Sequence, residues 1–209
     1  EKDQMGDNKI EYRSDSGKSI ILKLKTAPDI ASGILDQYDL GPYNLIILGA
    51  SGRWRGLAKS FWDPAVAEKV AIHAPCSVLV ARELEIGHGH LICTDGSNRS
   101  LEMVKKNATL AARCGCPISL MSVAMDEECE VDAREAVNKA GEVLKEMNME
   151  VAEKIVRVGN PVEEIIEAGP DYSLIVVCGS AKSGLRRFFM GSVSFKVMEK
   201  AYNSVMIAR

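Results

Sequence analysis

Short apolar runs alternate with amphipathic segments along the second part of the chain, from residue 90 onwards. Each run is short and carries few charges, which predicts a buried strand. In the segments between the runs, apolar residues recur at helical spacing, which predicts helices. The expected strands are 91–94, 118–123, 151–158, 174–177 and 205–208, and the expected helices are 100–113, 133–147, 161–168 and 192–202. This order predicts an α/β fold with a parallel sheet and helices on both faces.

The first 82 residues show the same pattern in a shorter form. Strands are expected at 19–25, 45–48 and 77–81, and helices at 28–38 and 64–73. Residues 1–19 are polar and have no clear period, which predicts an irregular tail. Residues 83–89 have the composition of a linker. We therefore expect two domains, 1–83 and 84–209.

Two stretches of the first part recur in the second part. The segment Tyr43-Asn-Leu-Ile-Ile-Leu matches Tyr172-Ser-Leu-Ile-Val-Val, and Ser77-Val-Leu-Val-Ala-Arg82 matches Ser204-Val-Met-Ile-Ala-Arg209. The first part thus carries counterparts of the last three strands of the second part, but not of its first two strands. The strands 77–81 and 205–208 are apolar, so an exposed edge there would risk aggregation. We expect them to pair with each other or with a partner subunit.

Composition limits the classes of function. The net charge of −3 gives no reason to expect nucleic acid as a partner. No apolar run approaches the roughly 20 residues that a membrane span needs. Only Cys114 and Cys116 of the six cysteines lie close together, and a single C-x-C pair is weak evidence for zinc. We expect buried or free thiols in a reducing, cytoplasmic compartment. We also expect His88 and His90 to be solvated in the linker rather than bound to a metal.

The stretch that follows the strand at 174–177 has the residues of an anion site. A Gly/Ser/Lys loop leads to Gly191-Ser192 at the expected start of a helix, where free backbone N–H groups favour an anion. Lys182, Arg186 and Arg187 add positive charge nearby. The alternative is an ordinary strand-to-helix turn in which Ser192 only caps the helix. Asp95 also follows a strand, so both segments are expected at the carboxyl edge of the sheet, where such folds bind ligands.

Several motifs of the second part resemble the universal stress protein family. They are Thr94-Asp95-Gly96-Ser97, Val158-Gly159-Asn160-Pro161 and Gly191-Ser192-Val193, and the first part adds Ala67-Glu-Lys-Val70 and His73-Ala-Pro-Cys76-Ser-Val. The resemblance covers nearly all of 90–209 and, more loosely, 19–82. It implies a Rossmann-type, five-stranded parallel sheet with strand order 3-2-1-4-5. It also implies two such domains, of which the first is incomplete.

The resemblance implies an ATP or AMP site in the second part. In nucleotide-binding members of the family, an aspartate after the first strand lies near the adenosine, while a G-x-x-G loop and a later Gly-Ser pair hold the phosphates. The residues expected to contribute here are Thr94, Asp95, Val123, Gly179, Lys182, Gly191, Ser192 and Val193. The loop departs from the pattern, because Ala181 stands at the second glycine and disfavours both a positive φ and a close phosphate.

The first part departs further from the family. Its Gly49-x-x-Gly52 loop survives, but Pro64-Ala65 replaces the Gly-Ser pair, and Pro64 has no N–H to donate. No counterpart of Asp95 is present, so no nucleotide is expected there. The strand at 45–48 is expected to pair with a first strand that this copy lacks, which would leave an open sheet edge. Residues 10–13, another chain, or sequence beyond these 209 residues is expected to supply that strand.

Two functions fit these observations. One is a cytosolic regulatory and dimerisation domain of a membrane transporter. Tandem domains similar to universal stress proteins occur at the C-terminus of secondary transporters, including prokaryotic cation–chloride cotransporters and related amino-acid permeases, where the nucleotide motif is commonly eroded. The other is a stand-alone tandem stress protein that binds ATP or AMP. The eroded loops and the incomplete first part favour the first function.

The favoured function implies particular partners. It predicts a homodimer joined to a membrane-embedded transporter domain of the same chain, with no membrane span in the sequence given. It also predicts no catalysis, since no nucleophile with a neighbouring base is visible. The loop 53–62 is rich in Arg, Trp and Phe, which are favoured at interfaces. Trp62 is therefore expected either to support self-association or to pack in the core beneath the loop.

Overall fold

The computed structural model describes residues 2–4, 9–41, 43–49, 64–82, 88–178 and 192–209. The chain forms two compact units, Glu1–Pro42 and Tyr43–Arg209. The larger unit holds most of the predicted strands and helices. The domain boundary predicted at residues 83 and 84 lies outside the described residues and stays a prediction.

The smaller unit contains a three-stranded antiparallel sheet and a helix. Its strands are β1 (Lys2–Gln4), β2 (Lys9–Arg13) and β3 (Ser19–Lys23), and its helix is α1 (Ile30–Tyr38). The irregular tail predicted for residues 1–19 is therefore wrong. Residues 9–13 pair with 19–23 across a turn in which Gly17 adopts a φ of 78° and donates its N–H to the Ser14 carbonyl at 3.0 Å.

Strand β3 does not join the main sheet, although the internal repeat placed it there. Among the described residues of the first part, the neighbour beside which this strand would lie is absent, and the backbone groups of β3 pair with β2 instead. Its apolar side chains stay exposed, with 73% of Ile20 and 79% of the adjoining Leu24 accessible to solvent. Residues 10–13 are taken up by the same small sheet, so they do not complete the first copy.

The larger unit is built on a seven-stranded sheet. Its strands are β4 (Leu45–Gly49), β5 (Ser77–Ala81), β6 (Gly89–Cys93), β7 (Ile118–Ala124), β8 (Glu153–Val158), β9 (Tyr172–Cys178) and β10 (Ser204–Ala208). They lie in the order β4-β5-β10-β9-β6-β7-β8. The β5–β10 pair is antiparallel and every other pair is parallel. The strand order expected for the second part is confirmed by β8-β7-β6-β9-β10.

Five α-helices of the larger unit are described. They are α2 (Pro64–His73), α3 (Asn98–Cys114), α4 (Glu130–Glu146), α5 (Pro161–Ala168) and α6 (Ser192–Lys200). Helix α4 begins three residues earlier than predicted, because Asp126 accepts the Cys129 N–H at 2.9 Å and starts a short 3₁₀ turn that runs into the helix. Buried apolar residues of α3 and α4 pack on the sheet, including Val104, Val137 and Leu144.

The linker predicted to end at Gly89 is shorter than expected. Strand β6 already begins at Gly89, and the His90 N–H donates to the Pro117 carbonyl at 2.8 Å. A side chain at Gly89 would place its Cβ 2.5 Å from that carbonyl oxygen, so only glycine allows this approach. His90 is consequently buried, with 6% of its surface exposed, and the prediction of a solvated histidine is wrong.

The cysteines also differ from the prediction in one place. Cys114 and Cys116 are joined by a disulfide, so they are not free thiols. Gly115 between them adopts a left-handed φ of 66° as the C-cap of α3, which turns the chain back on itself. The four other cysteines are free, as expected.

The predicted pairing of the two repeated last strands is confirmed. Strands β5 and β10 pair antiparallel, with Leu79 opposite Met206. The contacts around this pair are reciprocal: the Arg82 N–H donates to Ser204 Oγ at 2.9 Å, and the Arg209 N–H donates to Ser77 Oγ at 3.1 Å. The two copies of the repeat therefore meet through equivalent residues.

The arginine side chains that end the two repeats are reciprocal as well. Arg82 donates to the carbonyl of Met198 in the last turn of α6 and to the carbonyl of Asn203, which directly precedes β10. Arg209 donates to the carbonyls of Ala71, Ile72 and Ala74, at the C-terminal end of α2. Each guanidinium thus satisfies helix-end carbonyls of the other copy, where a positive charge is also favoured by the helix dipole.

Candidate functional site

The candidate site lies at the carboxyl edge of the parallel strands β6 to β9. Strand β6 runs directly into the loop of Thr94, Asp95, Gly96 and Ser97, which opens helix α3. The Thr94 N–H donates to the Met121 carbonyl of β7 at 2.8 Å, so the start of the loop is held by the neighbouring strand. The predicted placement of Asp95 at a strand end is thereby confirmed.

Asp95 is held by the serine that caps the next helix. Its Oδ1 accepts hydrogen bonds from the Ser97 N–H at 3.0 Å and from Ser97 Oγ at 2.6 Å. Desolvation raises the pKa of the Asp95 carboxyl, but hydrogen bonding to Ser97, to Ser100 and to the Asp95 backbone together lowers it by more. The net pKa therefore lies below its ordinary value. The result is an ionised carboxylate of fixed orientation on a side chain that is exposed to solvent.

Buried hydroxyl groups brace the loop from behind. Thr94 Oγ1 and Ser100 Oγ lie 2.9 Å apart within hydrogen-bonding distance, and both side chains are buried. The Gly96 N–H donates to Thr94 Oγ1 at 3.1 Å. Gly96 adopts a φ of 71°, and a Cβ there would lie 2.9 Å from Cβ of Ala136 in α4. Backbone conformation and packing therefore both require glycine next to Asp95.

Strand β9 ends beside the Asp95 loop. Burial and the negative charge of Asp95 raise the pKa of Cys178 to about 12, with a small opposing effect of Arg99. Ser194, buried in the first turn of α6, donates its hydroxyl to the Cys178 carbonyl at 3.2 Å. The ends of β6 and β9 and the start of α6 thus meet at one edge of the sheet, as the sequence predicted.

The other predicted site residues fall into three groups. Val123 lies in β7 one residue before its end, and Val193 lies in the first turn of α6; both are partly exposed at this edge. The second group lies outside the described residues and comprises Gly179, Ala181, Lys182, Arg186 and Gly191. Ser192 is the first residue of α6, as predicted, but its side chain is also outside the described part. The phosphate half of the site therefore stays a prediction, as does the role of Trp62 in the loop 53–62.

The thiols at this edge are not suited to nucleophilic chemistry. Burial and the neighbouring Cys178 raise the pKa of Cys93 far above its ordinary value, and the pKa of Cys178 is also raised. Both side chains are protonated at neutral pH, whereas the thiolate is the reactive form. Among the described residues, the carboxyl edge offers hydrogen-bond acceptors and helix starts rather than an activated nucleophile.

Sequence reasoning missed three serines that shape the site. Ser97 and Ser100 fix the Asp95 loop, and Ser194 fixes the start of α6. The run Asp-Gly-Ser after a strand is typical of an Asx turn and a helix N-cap, so the role of Ser97 could have been inferred. The sequence carries no comparable pattern for Ser194, because its acceptor lies 16 residues earlier, at the end of strand β9.

No helix in the described ranges is long and apolar enough to cross a membrane.

Comparison with known proteins gives a consistent result for the fold. The sequence profile of the universal stress protein family matches residues 90–209. A protein of Pseudomonas aeruginosa UCBPP-PA14 assigned to the universal stress proteins has a similar structure, with a TM-score of 0.67 and 16% sequence identity, over 87% of this chain and 69% of that chain. A universal stress protein of Archaeoglobus fulgidus DSM 4304 has a TM-score of 0.61 and 17% identity, over 86% of this chain and 64% of that chain.

A shorter Archaeoglobus fulgidus universal stress protein, solved in complex with dAMP, has a TM-score of 0.49 and 21% identity. It matches 60% of this chain and 100% of that chain. No curated protein matches the chain.

Proposed function

The chain belongs to the universal stress protein family, and we propose that it is a regulatory domain whose second part binds an adenine nucleotide without turning it over. The observation that carries the proposal is the Asp95 carboxylate. It is exposed, it is held in one orientation by Ser97, and it lies at the carboxyl edge of a parallel sheet. Ligands of open α/β sheets bind at this edge.

The proposed role of Asp95 is to accept a hydrogen bond from the adenosine. A fixed acceptor loses little conformational entropy when a ligand binds, because the Ser97 contacts already restrict the side chain. Its lowered pKa keeps the charge at neutral pH, and a hydrogen bond to a charged acceptor contributes about 1.5–3 kcal/mol. Thr94, Val123 and Val193 are proposed to border the adenosine beside it.

The phosphates are proposed to lie toward α6. The described backbone supports a helix start at Ser192, tied to the end of β9 by Ser194, and a helix start offers unpaired N–H groups to an anion. Gly179, Lys182, Gly191 and Ser192 are proposed to hold the phosphates. Ala181 at a glycine position of the family pattern makes us expect weak binding, which Ala181→Gly should strengthen.

The absence of turnover is part of the proposal. It is supported by the protonated state of Cys93 and Cys178, the thiols described at this edge. A bound nucleotide would then act as a regulatory ligand rather than as a substrate. The location proposed for such a domain is the cytoplasm.

Calorimetric titration with ATP and AMP tests the nucleotide site. We expect one site per chain, and we expect Asp95→Ala to weaken binding at least about tenfold, the effect of losing one charged hydrogen bond. Asp171→Ala is the matched control, because Asp171 is exposed and directly precedes β9 at the opposite edge of the sheet. A phosphate-release assay on the same samples should stay at background. Equal affinities of the Asp95 and Asp171 variants would refute the site.

A second candidate function is a regulatory domain of a membrane transporter that acts as a homodimer. The observation that favours it is the incomplete first copy: β3 pairs in the small sheet, and β4 is paired only with β5 among the described residues. We propose that a neighbour in the native assembly, either a second copy or the membrane-embedded domain, completes this region.

Two measurements separate this candidate from a stand-alone nucleotide-binding protein. Sedimentation across a concentration series should show a dimer of the purified chain. Fractionation of source cells, followed with an antibody raised against this chain, should find it in the membrane fraction and release it with detergent but not with high salt. A monomer with nucleotide affinity, found only in the supernatant, would favour the stand-alone protein.

A further inference from the structure

Three metal-ligating side chains come together at the edge of the sheet opposite to Asp95. His90 is the second residue of β6, Cys114 is the last residue of α3, and Cys116 lies in the turn that leads to β7. One ligand atom from each residue, an imidazole nitrogen or Sγ, lies within 4.8 Å of the other two. Because β6 and β7 are parallel, this group lies where the strands begin, while the Asp95 loop lies where they end.

Among the described residues, one long contact with sulfur is the only polar contact of the buried His90 ring. Its ring Nε2 lies 3.9 Å from Cys114 Sγ, and its buried Nδ1 has no hydrogen-bond partner among the described residues. A buried ring nitrogen without a partner costs stability and calls for an explanation such as a redox or metal-binding role.

The two cysteines can be reached from solvent. Cys114 is exposed and Cys116 is half-buried, so the sulfur atoms lie between the buried imidazole and the surface. Gly115 has open space around the position of a Cβ, with no atom within 4 Å. The C-terminal end of α3 carries the negative end of its dipole, which favours a cation beside Cys114.

We propose that His90, Cys114 and Cys116 bind one thiophilic cation such as Zn²⁺ when the cysteines are reduced, and that the Cys114–Cys116 disulfide is the metal-free form. The protein supplies three ligands, and the exposed side of the cluster leaves the fourth position to water or a small thiol. The site is independent of the nucleotide proposal, because it uses none of the residues at the carboxyl edge.

The distances suit the proposed ion. Zinc bonds of about 2.3 Å to sulfur and about 2.0–2.1 Å to nitrogen place tetrahedral ligand atoms roughly 3.5–3.8 Å apart. The 3.9 Å between His90 Nε2 and Cys114 Sγ is close to this spacing. Reduction of the disulfide allows the two sulfur atoms to separate to a similar distance. Two thiolates and an imidazole select zinc or Cu(I) over magnesium and calcium, which prefer oxygen ligands.

Conversion of the disulfide form into the zinc-bound form requires an external dithiol as the reductant. The dithiol gives two electrons and two protons to the disulfide, so that the S–S bond breaks, two thiols form on the protein and the reductant becomes a disulfide. Zn²⁺ then replaces the two thiol protons, which pass to solvent, and the neutral imidazole donates its lone pair without losing a proton. Oxidation by a disulfide of the same class reverses the sequence and releases the ion.

Competition against a chromophoric zinc chelator tests the proposal on the full chain. After reduction, the wild type should bind one equivalent of Zn²⁺, and Co²⁺ in its place should give a thiolate-to-metal charge-transfer band. Cys114→Ser and Cys116→Ser should each weaken zinc binding more than a hundredfold, beyond the about 10–100-fold typical of an outer-sphere change. Cys129→Ser is the matched control, since Cys129 is exposed and free and should leave the affinity unchanged.

His90 requires a second measurement, because a change at a buried position affects folding. His90→Gln should weaken zinc binding at least about tenfold, the lower bound for changes around a metal site. In the wild type, the imidazole nitrogen signals of His90 should shift when zinc is added. The proposal is overturned if the reduced wild type binds no stoichiometric zinc, or if Cys114→Ser and Cys116→Ser bind it as tightly as Cys129→Ser. Unshifted His90 signals would overturn the role of the histidine.

Discussion

Strands β4 and β9 carry matching sequences, yet they have different environments. Both are apolar runs of the type Tyr-x-Leu-Ile, and both were expected to be buried. In β9 most side chains are buried, and Ile175 is fully so. In β4 the corresponding side chains are partly exposed, with 60% of Ile47 accessible. The prediction of a buried strand at residues 45–48 is therefore wrong.

The difference between the two strands comes from their neighbours. Strand β9 lies between β6 and β10, whereas β4 is paired with β5 alone among the described residues. An apolar sequence pattern indicates which side chains a strand buries when its sheet is complete. It does not indicate whether the neighbouring strand is present. The second part of the chain brings its own first strand, β6, with the Asp95 loop at its end. The first part has no counterpart of either.

The largest effect on stability is expected from a matched pair of truncations, one in each of the two strands. Ile175→Ala in β9 should lower the free energy of unfolding by about 2–5 kcal/mol, because it removes fully buried methyl groups. Ile46→Ala at the equivalent position of β4 should cost less than about 2 kcal/mol, since Ile46 is already partly exposed.

Urea unfolding of both variants measures the difference. If β4 stays exposed to solvent in the purified chain, the two variants should differ in their loss of stability as predicted. Equal losses of stability would show that β4 is as well covered as β9, and the comparison between the two strands would then fail.

The second part was predictable because its pattern is complete and local. Strand positions, helix positions and the order β8-β7-β6-β9-β10 followed from alternation and from a family motif. Pairing of β5 with β10 followed from two apolar edges that need partners. The position of Asp95 at a strand end could be predicted from the apolar run that directly precedes it.

The features that were missed depend on contacts between distant residues. Nothing local shows that β3 pairs with residues 9–13, because the pattern of β3 is equally suited to the main sheet. The burial of His90 depends on the close approach of Gly89 to Pro117, 28 residues away in the sequence. The disulfide of Cys114 and Cys116 depends on the left-handed turn at Gly115.

A smaller loss of stability is expected from changes at the junction between the two parts. There we expect the equivalent arginines of the two parts to contribute equally to stability. Arg82→Ala and Arg209→Ala each remove charged hydrogen bonds to helix-end carbonyls of the other part. Each should lower the free energy of unfolding by about 1.5–3 kcal/mol. Arg82→Lys and Arg209→Lys should recover part of the loss, because lysine keeps the charge but lacks the planar fork that reaches two carbonyls.

Thermal unfolding of the four variants gives the comparison, and the double alanine variant shows whether the two arginines act together. A large loss from one alanine variant with no loss from the other would mean that the junction is not symmetrical in energy.

The smallest expected effect is a loss of stability at low pH, and it should be confined to the second part. Desolvation raises the folded-state pKa of Asp95, but hydrogen bonding to Ser97, to Ser100 and to the Asp95 backbone outweighs it and lowers the pKa from its ordinary value of 3.8. A carboxyl with a lowered folded pKa contributes stability that is fully present above the unfolded pKa and is lost as the pH falls through the folded pKa. Wild type should therefore exceed Asp95→Asn in stability at pH 7, and the difference should shrink below about pH 4.

The size of the acid effect should be at most about 1 kcal/mol, because the Asp95 side chain is exposed and solvent screens its charge. Amide hydrogen exchange can locate the effect: the Asn variant should lose protection in β6 and the start of α3 at pH 7 but not in β5, since the first part has no equivalent carboxylate. Asp126→Asn serves as the control, because Asp126 also caps a helical turn through its side chain but lies in the segment between β7 and α4. A stability difference between wild type and Asp95→Asn that persists unchanged to pH 2 would show that the Ser97 contacts do not depend on the charge of Asp95.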